Sequence, residues 1–164
     1  MFNHLVVNAV ALGIFYKLGI AVICGALIGA ERVISHKEAG MRTYALVAMG
    51  SALFIILVQM ALQTYLKLGL VSIDPFHIPA AIISGIGFIG AGMIIFRSTN
   101  VVTGLTTASG FWVTAGIGMA CGYGFYIPAF LATLMTLFVF IVLWHVEQHV
   151  KKFVWKDQKE EPKI

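Results

Sequence analysis

From Thr43 to Leu66 the chain carries no charged side chain, and four more stretches follow the same plan: roughly 11–30, interrupted by Lys17, then 80–96, 104–122 and 126–146. A helix of about 20 mostly apolar residues is long enough to cross the hydrocarbon core of a bilayer. Five such stretches predict an all-α integral membrane protein with about five transmembrane helices. Charged residues make up 11% of the chain, against roughly 25% in soluble domains, and they collect at the ends of the apolar runs. The transmembrane domain is expected over 1–146, followed by a short basic tail over 147–164. The net charge of +4 does not point to nucleic acid. Lys151, Lys152, Lys156, Lys159 and Lys163 lie in that tail, where basic residues anchor and orient a chain at the membrane surface.

Basic residues also set the orientation. Arg32, Lys37 and Arg42 fall in the loop 31–42, Arg97 in the loop 97–103, and five lysines in the tail, whereas the alternate loops hold Lys17 and Lys67. Positive residues favour the cytoplasmic side, so the N-terminus is expected outside and the C-terminus in the cytoplasm. Lys17 is expected to snorkel to the outer surface. No charged segment precedes the first apolar run, and no cleavable signal peptide is expected. Cys24 and Cys121 stand without a CxxC partner and read as small buried hydrophobes.

Glycine is concentrated where a helix would least favour it. Ser84-Gly85-Ile86-Gly87-Phe88-Ile89-Gly90-Ala91-Gly92 holds four glycines in the shortest span. In a bilayer small residues let helix backbones approach closely. Small residues also recur every fourth position at Ala21, Gly25 and Gly29, and at Thr106, Gly110, Thr114, Gly118 and Gly122. These stripes predict a tight core of spans one, three and four. The threonines of the fourth span read either as packing groups or as a polar track. Gly122-Tyr123-Gly124 predicts a tight turn, so the last two spans should form an antiparallel hairpin; Gly104 opens the fourth span.

Charged groups beside a span are the candidates for chemistry. Glu31, Arg32, Glu38, Arg42 and Thr43 cluster between spans one and two, where Glu31 and Arg42 could pair. Asp74 lies in Asp74-Pro75-Phe76-His77-Ile78-Pro79, on the opposite face, as either a loop turn or a weak metal ligand. Magnesium prefers six oxygens; Glu31 and Asp74 cannot meet within one protomer, and at depth only Gln59, Gln63, Ser84 and threonines supply side-chain oxygen. An all-carboxylate cage is therefore excluded, while a carbonyl-lined path is left open. His145, Glu147 and His149 space as HxExH, which differs from the metalloprotease motif HExxH and reads as interfacial beside Trp144 and Trp155. No nucleophile–base pair or phosphate loop is present, so no catalysis and no resident cofactor are expected.

Together these motifs resemble the MgtC/SapB family of bacterial inner-membrane proteins. The resemblance runs over about residues 17–142 and rests on Gly25-Ala26-Leu27-Ile28-Gly29-Ala30-Glu31-Arg32, Ala39-Gly40-Met41-Arg42-Thr43, Ala45 through Phe54, the glycine run 84–92, Gly104-Leu105-Thr106-Thr107-Ala108 and Trp112. It departs at His77, where the family has arginine, and at Ala81, where it has glutamine. Longer members carry a cytoplasmic ACT-like domain, and the tail here is too short to fold one. The resemblance implies a role linked to magnesium, with Mg²⁺ as ligand or substrate. One form of that role is transport, with Glu31, Asp74, Thr106 and Thr107 along the path. The other is modulation of another membrane complex through small-residue helix faces such as Gly87 and Gly118. The bilayer and a second copy of the chain are the other expected partners.

Overall fold

The computed structural model describes residues 2–69, 74, 76–96 and 102–157. Among the described residues the chain is all-helical apart from one short hairpin. Helix α1 spans Phe2–Ile34, α2 Met41–Lys67, α3 His77–Met93, α4 Leu105–Tyr123 and α5 Tyr126–Phe138. A π-helical turn, Val139–Leu143, carries α5 without a break into α6, Trp144–Asp157. The expected basic tail is thus helical through Asp157. Three helical runs, 8–34, 41–67 and 126–154, are long and apolar enough to cross a membrane, and α3 is a shorter apolar helix. Leu12, Phe15, Phe54, Phe88, Phe130 and Ile127 stand exposed on these helices, an arrangement suited to lipid and costly in water.

Each helix ends for a local reason. At the end of α1, His36 N–H donates to Val33 O and Lys37 N–H to Arg32 O. This closes the last turn with the residue after the helix in the left-handed conformation. His36 occupies that position with φ 53°, where glycine is usual. Helix α4 ends in the same way at Gly124, φ 84°, with bonds from Gly124 N to Cys121 O and Phe125 N to Ala120 O. Between α3 and α4 a two-residue ladder, β1 (Ile95–Phe96) against β2 (Val102–Thr103), is antiparallel with Ile95 opposite Thr103. Gly104 follows at φ 93°, and a Cβ there would sit against Met93 O. Only glycine meets both demands.

The core is built differently from the expectation. The stripes predicted spans one, three and four; α1, α2 and α4 form it instead, with α2 packing along both α1 and α4 and α4 touching every other helix of the bundle from α1 to α5. A Cβ on Gly25 would lie 2.5 Å from Tyr44 O, and one on Gly29 2.5 Å from Met41 Cα. On α4 a Cβ at Gly118 would fall onto Ala48 O, and one at Gly122 would lie 2.7 Å from Ala52 O. Rising numbers pair with rising numbers, so α2 and α4 run parallel, while α1 runs antiparallel to both. Gly110 faces side chains, with a Cβ position 2.6 Å from Tyr44 Oη and 2.8 Å from Phe140 Cζ. Tyr44 and Phe111 meet edge to face at 4.8 Å in the middle of this core.

Helix α3 is peripheral. It packs mainly on α4, and only Ile86 and Gly90 of it are buried. Gly90 reaches Ala108 at an ordinary contact distance, its Cβ position 3.5 Å from Ala108 Cβ. Gly85, Gly87 and Gly92 face open space, with nothing within 4 Å of an added Cβ. The physical reason is that a small-residue stripe licenses close approach without naming the neighbour. Here α2, which has small residues at Ala48, Ser51 and Ala52, takes the place expected for α3.

Candidate functional site

The polar groups of the core lie mostly at the end where α1 stops and α2 and α4 begin. Glu31 and Arg32 are both buried, at 7% and 3% exposure. Arg32 donates from Nε to Glu31 Oε2 and forms an ion pair with the same oxygen. Ser35, one helical turn on, donates to Glu31 Oε1 at 2.6 Å. The guanidinium of Arg32 lies 3.6 Å from the centroid of the Phe140 ring, a cation–π contact in a desolvated setting. Both carboxylate oxygens of Glu31 are therefore engaged. The expected Glu31–Arg42 pair does not form: Arg42 is exposed on the first turn of α2, and Glu31 takes its own neighbour instead.

Tyr44 Oη donates to Thr107 O at 3.4 Å, linking α2 to α4 just beside this pair. Thr107 is buried, whereas Thr106 and Thr43 are exposed. Thr106 and Thr107 line a shallow cleft with His36, Lys37 and Glu38 beside the start of α4, and Thr43 lines a second cleft between α2 and α3. Deeper in the core, Thr114 Oγ1 is fully buried without a hydrogen-bond partner. Thr133 and Thr136 of α5 donate to the carbonyls one turn back, Ala129 O and Ala132 O.

At the opposite end Lys17 turns inward. Its Nζ donates to Gly122 O at 2.8 Å and to Gln59 Oε1 at 3.2 Å. It ties α1, α2 and the carbonyl end of α4 together, where a cation complements the helix dipole. This differs from the expected snorkel, because the last carbonyls of α4 offer a nearer partner than the surface. Asp74 is exposed, and its Oδ1 accepts from Phe76 N at 2.9 Å, which makes it a turn group before α3. Glu31 and Asp74 lie at opposite ends of the bundle.

HxExH does not converge. His145 Nδ1 sits 2.6 Å from Ile141 O, His149 Nδ1 2.9 Å from His145 O, and Glu147 pairs with Lys151 at 2.5 Å. Among the described residues no three His, Cys, Asp or Glu side chains gather as a metal site would require. Arg97, Pro75, Lys159 and Lys163 lie outside the described residues.

An apolar opening lies between α3 and α2. It measures about 620 Å³ and is lined by Gly50, Phe54, Ala81, Gly85 and Ile86 among others. It contains Ala81, one of the two departures from the family pattern; His77 is exposed at the start of the same helix.

This arrangement coincides with a match to the family model of the MgtC family over residues 18–149. The chain belongs to the MgtC family. It is 49% identical over 119 residues to YhiD of Escherichia coli K12, whose name gives it provisionally as a magnesium transporter, covering 73% of this chain and 54% of YhiD. It is 43% identical to SapB of Bacillus subtilis 168 over 76% of this chain and 53% of SapB. It is 42% identical to MgtC of Salmonella typhimurium 14028s over 80% of this chain and 53% of that protein. The chain thus spans about half the length of the curated relatives it matches. No solved structure matches it. The MgtC-family match covers α1 from Leu18 onward, all of α2 to α5 and the start of α6.

Three residues around the buried Glu31–Arg32 pair, of which Ser35 is itself exposed, escaped the sequence reading. Ser35 had a usable signal, since it sits four residues after Glu31 and so on the same helix face. Tyr44 had a weaker one, as a phenol two residues inside an apolar span. Phe140 had none, because its approach to Arg32 depends on how α5 crosses α1.

Proposed function

We propose that this chain serves magnesium homeostasis in the bacterial inner membrane by engaging a helix of another membrane complex, rather than by conducting Mg²⁺ through its own core. It would cross the membrane five times with its N-terminus outside. In support of that orientation, Arg32, Lys37 and Arg42 share one end of the bundle while Lys17 and Lys67 lie at the other, as the distribution of basic residues across a membrane favours.

The observation that carries the reading is the division of the glycines. Gly25 and Gly29 of α1 and Gly118 and Gly122 of α4 are committed inside, where even a methyl group meets backbone. Gly85, Gly87 and Gly92 of α3 are free, and Gly85 lines an apolar cleft of about 620 Å³. A second helix could approach α3 closely only while those positions stay small. The test is growth of a deletion strain at limiting magnesium, complemented by the wild-type chain, Gly87→Leu and Gly116→Leu, with co-purification of membrane partners. Gly87→Leu should fold, lose its partner and fail to complement, while Gly116→Leu, also in open space, should complement. Full complementation by both Gly85→Leu and Gly87→Leu overturns the reading. Recovery of only the chain itself, cross-linked at α3, would turn it into a homodimer.

A second reading, transport of Mg²⁺ by the chain, draws support from the buried, partnerless hydroxyl of Thr114 on the α4 stripe and from the name of the E. coli relative. Purified chain in liposomes should then pass Mg²⁺ down a gradient, and Thr114→Val should stop it. Absence of flux in both directions rejects this reading.

A further inference from the structure

A groove opens between the end of α1 and the junction of α5 with α6, about 650 Å³ in volume. Its lower wall is apolar, with Leu27 and Ile34 on one side and Ile141 on the other. Its upper rim is polar, with Ser35, His36, Lys37 and His145, and Trp144 stands between the two levels. The sequence accounts for both walls. Leu27, Ala30, Glu31 and Ile34 repeat at intervals of three and four on one face of α1. Ile141, Trp144 and His145 share a face through the same spacing of three and four, at the π-helical turn Val139–Leu143, and such turns occur frequently at functional sites.

The charges in this groove do not balance. Glu31 is the acid that lines it, and its carboxylate is already held by Arg32 and Ser35, so that pair is neutral as a unit. The carbonyls ending α1 could have drawn in Lys37, but Glu31 O, Arg32 O and Val33 O accept from Ser35, Lys37 and His36 N–H. Lys37 borders both this groove and the cleft at the start of α4 that Glu38 also lines, and it forms no ion pair with either acid. His145 has its Nδ1 on Ile141 O and keeps Nε2 for another partner. The left-handed backbone at His36 sends the chain sharply back, which sets the His36–Lys37 pair on the rim.

An apolar floor, an interfacial tryptophan and an uncompensated cation follow the order of a phospholipid from acyl chain to phosphate. We infer that this groove binds one anionic phospholipid, with the phosphate at Lys37 and His145 and an acyl chain along Leu27, Ile34 and Ile141. Soluble anions fit the rim but leave the apolar floor uncovered, and uncharged or zwitterionic lipids leave Lys37 unanswered. The site stands whether or not the chain moves magnesium.

The test uses the purified full chain in detergent, with phosphatidylglycerol, phosphatidylcholine or inorganic phosphate added, read by native mass spectrometry and thermal unfolding. Wild type should retain phosphatidylglycerol in preference to phosphatidylcholine. Lys37→Gln with His145→Gln should cut that retention about fivefold or more, since one lysine near an anionic surface contributes about that factor. Lys151→Gln with Lys152→Gln, which removes two exposed charges outside the groove, should change it less than twofold. Lys37 and His145 are exposed, so the lipid-free variant should melt like wild type. A measurement that leaves the site intact is Trp144 fluorescence in a Trp112→Phe, Trp155→Phe chain. Brominated phosphatidylglycerol should quench it more than brominated phosphatidylcholine. Equal retention or quenching by the two lipids, equal loss in the Lys151 and Lys152 control, or full stabilisation by inorganic phosphate alone would each overturn the inference.

Discussion

Adding one methyl group to α4 should have opposite effects two residues apart. Gly116 and Gly118 lie in the same helix, and each loses the cost of helical glycine on substitution by alanine, a gain of up to about 1 kcal/mol. At Gly116 nothing lies within 4 Å of the new Cβ, so the gain stands alone, and Gly116→Ala should be neutral or stabilised by up to about 1 kcal/mol. At Gly118 the new Cβ falls onto Ala48 O, with Ala48 C and Ala48 Cα both at 2.8 Å. Backbone of a neighbouring helix cannot rotate aside as a side chain does, so α2 and α4 must separate. Overpacking of this kind costs about 1–3 kcal/mol. After the propensity gain, Gly118→Ala should be destabilised by about 0–2 kcal/mol and Gly118→Leu by more. Gly122 makes the same contact one turn on, 2.7 Å from Ala52 O. Once α2 has moved, the second substitution meets a gap already opened, so Gly118→Ala with Gly122→Ala should cost less than the two singly. Reversible unfolding in mixed micelles, followed by helical circular dichroism, measures all four chains. Equal stability of Gly116→Ala and Gly118→Ala would refute the parallel α2–α4 seam, and with it the place of α2 in the core.

Glu31→Gln should leave the Arg32 charge buried without its partner and cost about 3–5 kcal/mol, most of it recovered when Arg32→Met is added, measured in the same unfolding assay. Thr114→Val removes a hydroxyl that has no partner and should be neutral or stabilising, by up to about 1–3 kcal/mol; a clear loss would mean that a water or ion holds it. Lys17→Met should cost about 1–3 kcal/mol through its two lost hydrogen bonds and loosen the α4–α5 turn, seen as faster amide exchange at Gly124 and Phe125. His36→Gly relieves a left-handed residue and should stabilise the chain by about 1 kcal/mol, while weakening retention of phosphatidylglycerol.

What the sequence made legible follows from which physical property each residue reveals. Apolar length marks the helices, and the observed limits of α2, α3 and α4 fall within a few residues of the expected runs; α1 begins at Phe2, well before the expected start near 11, and at the last span Glu147, Lys151 and Lys152 hid a helix that simply continues out of the apolar zone. Charge and turn chemistry say where a helix stops, as at Gly104 and Gly124. Neither says which helices touch. A stripe such as Gly110, Thr114, Gly118 and Gly122 reveals that something comes close on that face, yet the glycines of α3 pointed to the wrong neighbour. The decision rests on what the other helix offers: α2 presents Ala48, Ser51 and Ala52 along the seam, whereas α3 brings Phe88 and Ile89 between its glycines. The same asymmetry explains the site. Pairing of Glu31 was sought across the loop because Arg42 lies beyond a turn, but Arg32 is adjacent, and desolvation under Phe140 makes the nearest cation the one that must neutralise the carboxylate. A buried charge selects its partner by distance within the folded core. That distance depends on a helix crossing which sequence spacing does not encode. Free glycines in α3 therefore carry more functional information than the densely packed ones of α1 and α4. Gly25, Gly118 and Gly122 have contacts that explain them inside the fold, whereas Gly85, Gly87 and Gly92 have none, as is true of Gly13, Gly19, Gly50 and Gly116; what sets α3 apart is that three such glycines fall within eight residues of one helix, the condition for close approach by a neighbour.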